Sequence, residues 1–215
     1  MKNIFFIIFS FLLPLSLFSD SEIEFSLNSD SIWRGITQND GNPTIGSEIN
    51  FSLKNGFFSG AWLESCCSEN KSYPNRELGY FFGYERSINK NLYISLNYVG
   101  TNYPDSKIDN YDEIEFNFLF YDFGISYFVG LDNFPDYYEL YYSYEFSNSS
   151  LNLSYGDFDS YRNIYDSNGS NYSIGIDTVL NDFTLTFFYY YFNANGISDG
   201  DDDGLVFSIS RKTSF

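Results

Sequence analysis

The residues of this sequence that could do chemistry are its carboxylates, set two apart so that one face of an extended chain would carry them. Glu113 and Glu115 are so spaced, and Glu24, Glu48, Glu77, Glu85, Glu139, Glu145 and Asp177 each alternate with apolar neighbours. Carboxylates arranged in rings favour cations and disfavour anions. Histidine is absent and the net charge is −18. The lack of histidine removes Ser-His triads, Cys-His pairs and His-ligated zinc or haem. The acidity excludes nucleic acid, whose phosphates need a basic face. No catalytic set, no metal site and no cofactor is implied. The run Asp199-Gly200-Asp201-Asp202-Asp203-Gly204 matches the first half of an EF-hand loop, but Ser210 stands where the closing glutamate belongs, so it reads as an exposed acidic loop. Cys66 and Cys67 are adjacent, with no zinc or CxxC spacing. They read as two incidental thiols, with a redox-labile or intermolecular pair as the alternative.

The elements that must position these carboxylates are strands. Tyr and Phe are abundant, with 21 and 25 copies, and Met occurs once, which favours strand over helix. Residues 1–19 read as a targeting segment: Lys2, an apolar core from Ile4 to Leu17, and cleavage after Ser19 that leaves a mature chain of residues 20–215. No other apolar run reaches spanning length, so a membrane crossing must use strands. Alternation of apolar and polar residues marks about twelve strand segments, from Ile23 to the last one at Leu205–Lys212. The first is expected to run on through Trp33 and Arg34.

The connections sort into two kinds. Lys54–Gly56, Asn89–Asn91, Tyr121-Asp122, Asn148-Ser149 and Asn181-Asp182 are tight. Ile36–Pro43, Ser65–Asn75, Gly100–Asn110, Gly130–Asp136, Asp157–Gly169 and Asn193–Asp203 are long and polar. Short turns on the side of both termini, and long loops opposite, are the asymmetry of an outer-membrane barrel. The expected fold is therefore all-β, a transmembrane antiparallel up-and-down β-barrel. Trp33, Tyr98, Tyr138, Tyr155, Tyr172, Tyr189 and Tyr191 are expected to form its loop-side aromatic girdle, with Trp33 facing lipid. Phe81, Phe128, Phe188, Tyr190 and Phe192 fall on the inward phase, where they would narrow the lumen unless the register is slipped by one.

The stretch from Ser29 onward carries a resemblance. Ser29-Asp30, the run Trp33-Arg34-Gly35-Ile36-Thr37-Gln38-Asn39-Asp40, Asn42-Pro43, and Gly56-Phe57-Phe58-Ser59-Gly60-Ala61-Trp62 are similar to the signature of the TorF family of porins, also catalogued as Gcw_chp. The leader, the length and the terminal Phe215 are similar too. Trp33 replaces the family's usual aromatic, and Cys66-Cys67 are an addition. The resemblance implies a bacterial outer-membrane barrel that passes small solutes.

From the residues, the lumen set is Arg34, Glu48, Glu85, Glu113, Glu115, Glu139 and Glu145. Arg34 is expected to pair with Asp203 or a lumenal Glu and to shape the outer mouth. The expected function is passive diffusion of small solutes with cation preference. The alternative is a non-conducting structural or adhesive barrel acting through its acidic loops. The partners implied are outer-membrane lipid and lipopolysaccharide, the barrel-assembly machinery and small solutes.

Overall fold

The computed structural model describes residues 18–66, 75–104, 109–132, 134–158, 169–194 and 201–215. Residues 1–17, most of the expected targeting segment, lie outside these, as do Cys67, Asp199 and Gly200.

Twelve strands close into one antiparallel barrel. They are β1 (Phe18–Asn28), β4 (Thr44–Leu53), β5 (Phe57–Cys66), β6 (Asn75–Asn89), β7 (Leu92–Asn102), β8 (Tyr111–Phe120), β9 (Phe123–Gly130), β10 (Tyr137–Phe146), β11 (Ser149–Phe158), β12 (Gly169–Leu180), β13 (Phe183–Ala194) and β14 (Asp202–Ser214). Two short strands, β2 (Ile32–Trp33) and β3 (Ile36–Thr37), form a separate hairpin between β1 and β4. Each barrel strand pairs with its neighbour in the chain, and β1 pairs with β14 to close the ring, with Glu22 opposite Ser214 and Asn28 opposite Ser208. Closure leaves no unpaired strand edge, which is what lets a sheet cross a bilayer.

Alternation along each strand sorts the side chains. Phe25, Ile45, Phe82, Phe116, Ile125, Leu140, Ile174 and Leu205 point out and are exposed. Such a belt of exposed apolar residues suits lipid and not water. Glutamates, serines and asparagines point in. The tight turns fall where the sequence places them, with left-handed backbone at Gly56, Tyr121, Ser147 and Asn181. The fourth turn is Ser147-Asn148 and not Asn148-Ser149, because β11 already begins at Ser149.

One expectation fails in an informative way. β1 stops at Asn28, and Trp33 and Arg34 do not continue it. The chain turns into the lumen instead. Asp30 organises the turn: Oδ1 accepts from the Ser31 amide at 2.8 Å and Oδ2 from the Thr37 hydroxyl at 2.7 Å. Burial raises the Asp30 carboxyl above its ordinary value. The Gln38 amide donates to the Ser31 carbonyl at 2.8 Å, which squares off the β2–β3 hairpin.

Candidate functional site

At the tip of that hairpin stand Arg34 and Gly35, with φ of 50° and 82°. Two successive residues with positive φ make the tight primed turn that suits a two-residue hairpin loop. Glycine takes this conformation freely, whereas arginine does so against a steric penalty. Gly35 is required for a second reason: a Cβ there would lie 2.5 Å from the Asn171 Cβ on β12. The hairpin leaves the ring between β1 and β4, and its tip touches β8 to β12 on the opposite wall. It therefore spans the lumen.

Arg34 meets a built receptor on that wall. Its Nη2 donates to both carboxylate oxygens of Glu113, at 2.8 and 3.0 Å. Its guanidinium carbon lies 4.2 Å from the ring centre of Tyr137, 4.5 Å from Phe128, 4.8 Å from Trp33 and 5.7 Å from Phe158. Both partners are buried, with side-chain exposures of 8% and 4%. Cation–π contact and a charge-assisted bond together offset part of the desolvation of the two charges. Trp33 packs on Tyr111, Phe134 and Phe158 at 5.5–6.0 Å between ring centres.

Trp33 thus faces the lumen, which corrects its expected place in the lipid-side girdle. The tyrosines of that girdle lie on the outside. Tyr138, Tyr155, Tyr172 and Tyr191 follow one another across β10 to β13, with 5.1–6.4 Å between neighbouring ring centres. Arg34 pairs with a lumenal glutamate and not with Asp203, which accepts from the Tyr189 hydroxyl on the outer face. The acidic loop is likewise engaged: Asp201 accepts from Tyr191 and from the Ala194 amide, and Asp202 from the Thr37 amide. Cys66 is buried and disulfide-bonded, which corrects the reading of incidental thiols.

The inward phase is confirmed for the five aromatics in question. Phe81, Phe128, Phe188 and Tyr190 line lumenal cavities, and Phe192 is buried against Tyr137 and Phe158. Of the candidate carboxylates, Glu113 and Glu139 line a cavity of about 390 Å³ beside the hairpin, together with Trp33, Arg34, Trp62 and Glu77. Glu48 and Glu85 line a second of about 430 Å³ towards the tight turns, with Glu22 and Tyr141. Glu115 accepts from Asn97 and Asn117 on the same wall, at 2.7 and 2.8 Å. Glu145 follows the same phase but lies exposed near the turn after β10. The structure gathers these residues into one lumen and not into one cluster.

Tyr137 and Phe158 surround the Arg34 guanidinium, and neither is among the residues singled out from the sequence. Tyr137 is two residues before Glu139, so alternation places it inward. Phe158 continues the inward phase of Ser154 and Gly156, but it stands at the last position of β11 beside a long polar loop, where the strand's end is hard to place.

Solved structures share this architecture. The KdgM porin superposes with a TM-score of 0.61 at 8% identity, over 90% of this chain and 99% of that one. The NanC porin does so with a TM-score of 0.53 at 10% identity, over 91% and 98%. The outer membrane phospholipase A from Escherichia coli reaches 0.51 at 10% identity, over 93% of each chain. At these identities the likeness is one of fold. Sequence comparison with curated proteins finds no match.

A closed antiparallel barrel of twelve strands with an apolar belt and a polar lumen resembles the outer-membrane porins in fold. By sequence, the chain belongs to the Gcw_chp family, described as bacterial protein of unknown function, whose model matches residues 19–199.

Proposed function

We propose that this protein is a bacterial outer-membrane channel for passive diffusion of small solutes, with a preference for cations. One observation carries the reading. Among the described residues, the basic side chains that reach the lumen are Arg34, from the hairpin, and Lys212, from β14, and each is already paired with glutamate. Arg34 holds Glu113, and the Lys212 Nζ lies 3.2 Å from Glu22 and 3.8 Å from Glu24. Glu48, Glu85, Glu115, Glu139 and Glu145 form no ion pair among the described residues, so carboxylates outnumber cations along the described lumen. Carboxylates along a narrow polar path attract cations and repel anions.

The KdgM porin has been solved in complex with oligogalacturonate, a polyanion. The acidic lumen of the present chain is suited to cationic or neutral solutes instead. The lipid-facing belt and the tyrosine girdle support residence in the outer membrane, and residues 1–19 are assigned to the targeting segment that would direct the chain there.

The test is a planar-bilayer recording of the purified barrel in a potassium chloride gradient. A reversal potential of the sign set by cation flow is expected. Anion selectivity would sink the preference, and no conductance would sink the channel. The hairpin across the lumen favours a second reading, a structural or adhesive barrel working through its loops. That reading expects silence in the bilayer even after the hairpin is removed.

A further inference from the structure

A diffusion channel needs a constriction, but it does not need the constriction to end in an aromatic cage. The Arg34 Nη1 is buried with no hydrogen-bond partner among the described residues. The guanidinium carbon lies over the rings of Phe128 and Tyr137, while Nη2 bonds both carboxylate oxygens of Glu113. One carboxylate for one end of the guanidinium, and π faces around the rest, is the composition of a receptor for a planar cation. Its parts divide between the barrel wall and the hairpin, which supplies Trp33. Glu113, Phe128, Tyr137 and Phe158 belong to β8, β9, β10 and β11, so the receptor is built into the barrel wall. Arg34 belongs to the hairpin.

We propose that the wall cage of Glu113, Phe128, Tyr137 and Phe158 is a binding site for guanidinium-bearing solutes, occupied in this state by the hairpin's own Arg34. The proposal names a solute class for the cation channel and rests on that reading for the route by which the solute enters. A solute taking the cage displaces Arg34 and frees the hairpin from the far wall. A tethered tip competes with an effective concentration in about the millimolar range, so free solute must reach a similar level to displace it. Neutral isosteres lack the charge for Glu113. Alkali cations lack the plane and the donors.

The test uses the full chain, folded in detergent micelles, with closure verified by heat-modifiable gel mobility. The two tryptophans are Trp33 and Trp62. Trp62→Phe therefore leaves Trp33, which packs on Arg34, as the single indole reporter. On this background Arg34→Ala empties the cage. Millimolar guanidinium chloride is expected to change Trp33 emission saturably, whereas urea and sodium chloride at the same concentrations are not. Adding Glu113→Gln should weaken the response about tenfold to a hundredfold, the loss expected for hydrogen bonds to a charged group. Equal saturation by urea, or an unchanged response in Glu113→Gln, overturns the proposal. Should Arg34→Ala not fold, Arg34→Lys is the second background. It keeps a cation opposite Glu113 but lacks the planar fork, and the same ranking of probes is expected. A barrel silent in bilayers that still binds guanidinium would sink the channel and keep the cage. A conducting barrel blind to guanidinium would do the reverse.

Discussion

Arg34 concentrates three unusual conditions in one residue: left-handed backbone, a buried charge and a contact across the lumen. A pair of this kind is costly to break from one side. Glu113→Ala leaves a guanidinium buried without its carboxylate, and a loss of about 3–5 kcal/mol is expected in denaturant unfolding of the micelle-bound barrel. The double variant Arg34→Ala/Glu113→Ala should lose much less than the two single losses combined, because the second change removes the stranded charge. Gly35→Val acts differently. Its side chain cannot fit against Asn171, so the hairpin should fail to seat while the barrel stays closed, and single-channel conductance should rise. The sequence offered Arg34 either Asp203 or a lumenal glutamate, on the premise that it continues β1. Neither the choice between them nor the particular glutamate was legible. The choice depends on how far the hairpin reaches, and nothing in a strand's period encodes that.

At the scale of elements, the strand count and the alternation of short and long connections were open to reading, because turn chemistry and a period of two are local properties. The end of β1 was not. Trp33 falls on the phase of Ile23, Phe25 and Leu27, and an arginine is no signal for a residue with positive φ. The turn is recognisable only from Gly35 and from the contacts of its neighbours. Trp33 was accordingly read as lipid-facing, although its environment is aromatic and lumenal. The wall elements also carry a device that local pattern cannot show. Gly124 on β9 lies opposite Tyr141 on β10, and a Cβ at position 124 would sit 1.8 Å from an atom of the tyrosine ring. The ring lies flat over the glycine instead of projecting inward. Gly124→Ala should push Tyr141 into the lumen and lower the conductance, with little change in gel mobility.

For the molecule as a whole, the sign of the lumenal charge sets the expected behaviour. Selectivity that comes from carboxylates is screened as salt rises, since the Debye length falls from about 10 Å at 0.1 M to about 3 Å at 1 M. The ratio of cation to anion permeability should therefore be largest in dilute potassium chloride and shrink towards unity in concentrated solution. A ratio that does not change with salt would point to selection by size.

The hairpin has a consequence for the order in which this molecule comes together. Its tip needs the wall from β8 to β12. Its root needs the last strand: the Ser29 amide donates to the Phe207 carbonyl at 2.8 Å, the Phe207 amide donates to Ser29 Oγ at 3.0 Å, and the Thr37 amide donates to Asp202 at 3.1 Å. These partners are far apart in the chain, so the contacts form only after long loops have closed. The first long connection to be synthesised therefore has its full set of bonds only once β14, the last strand made, is in place.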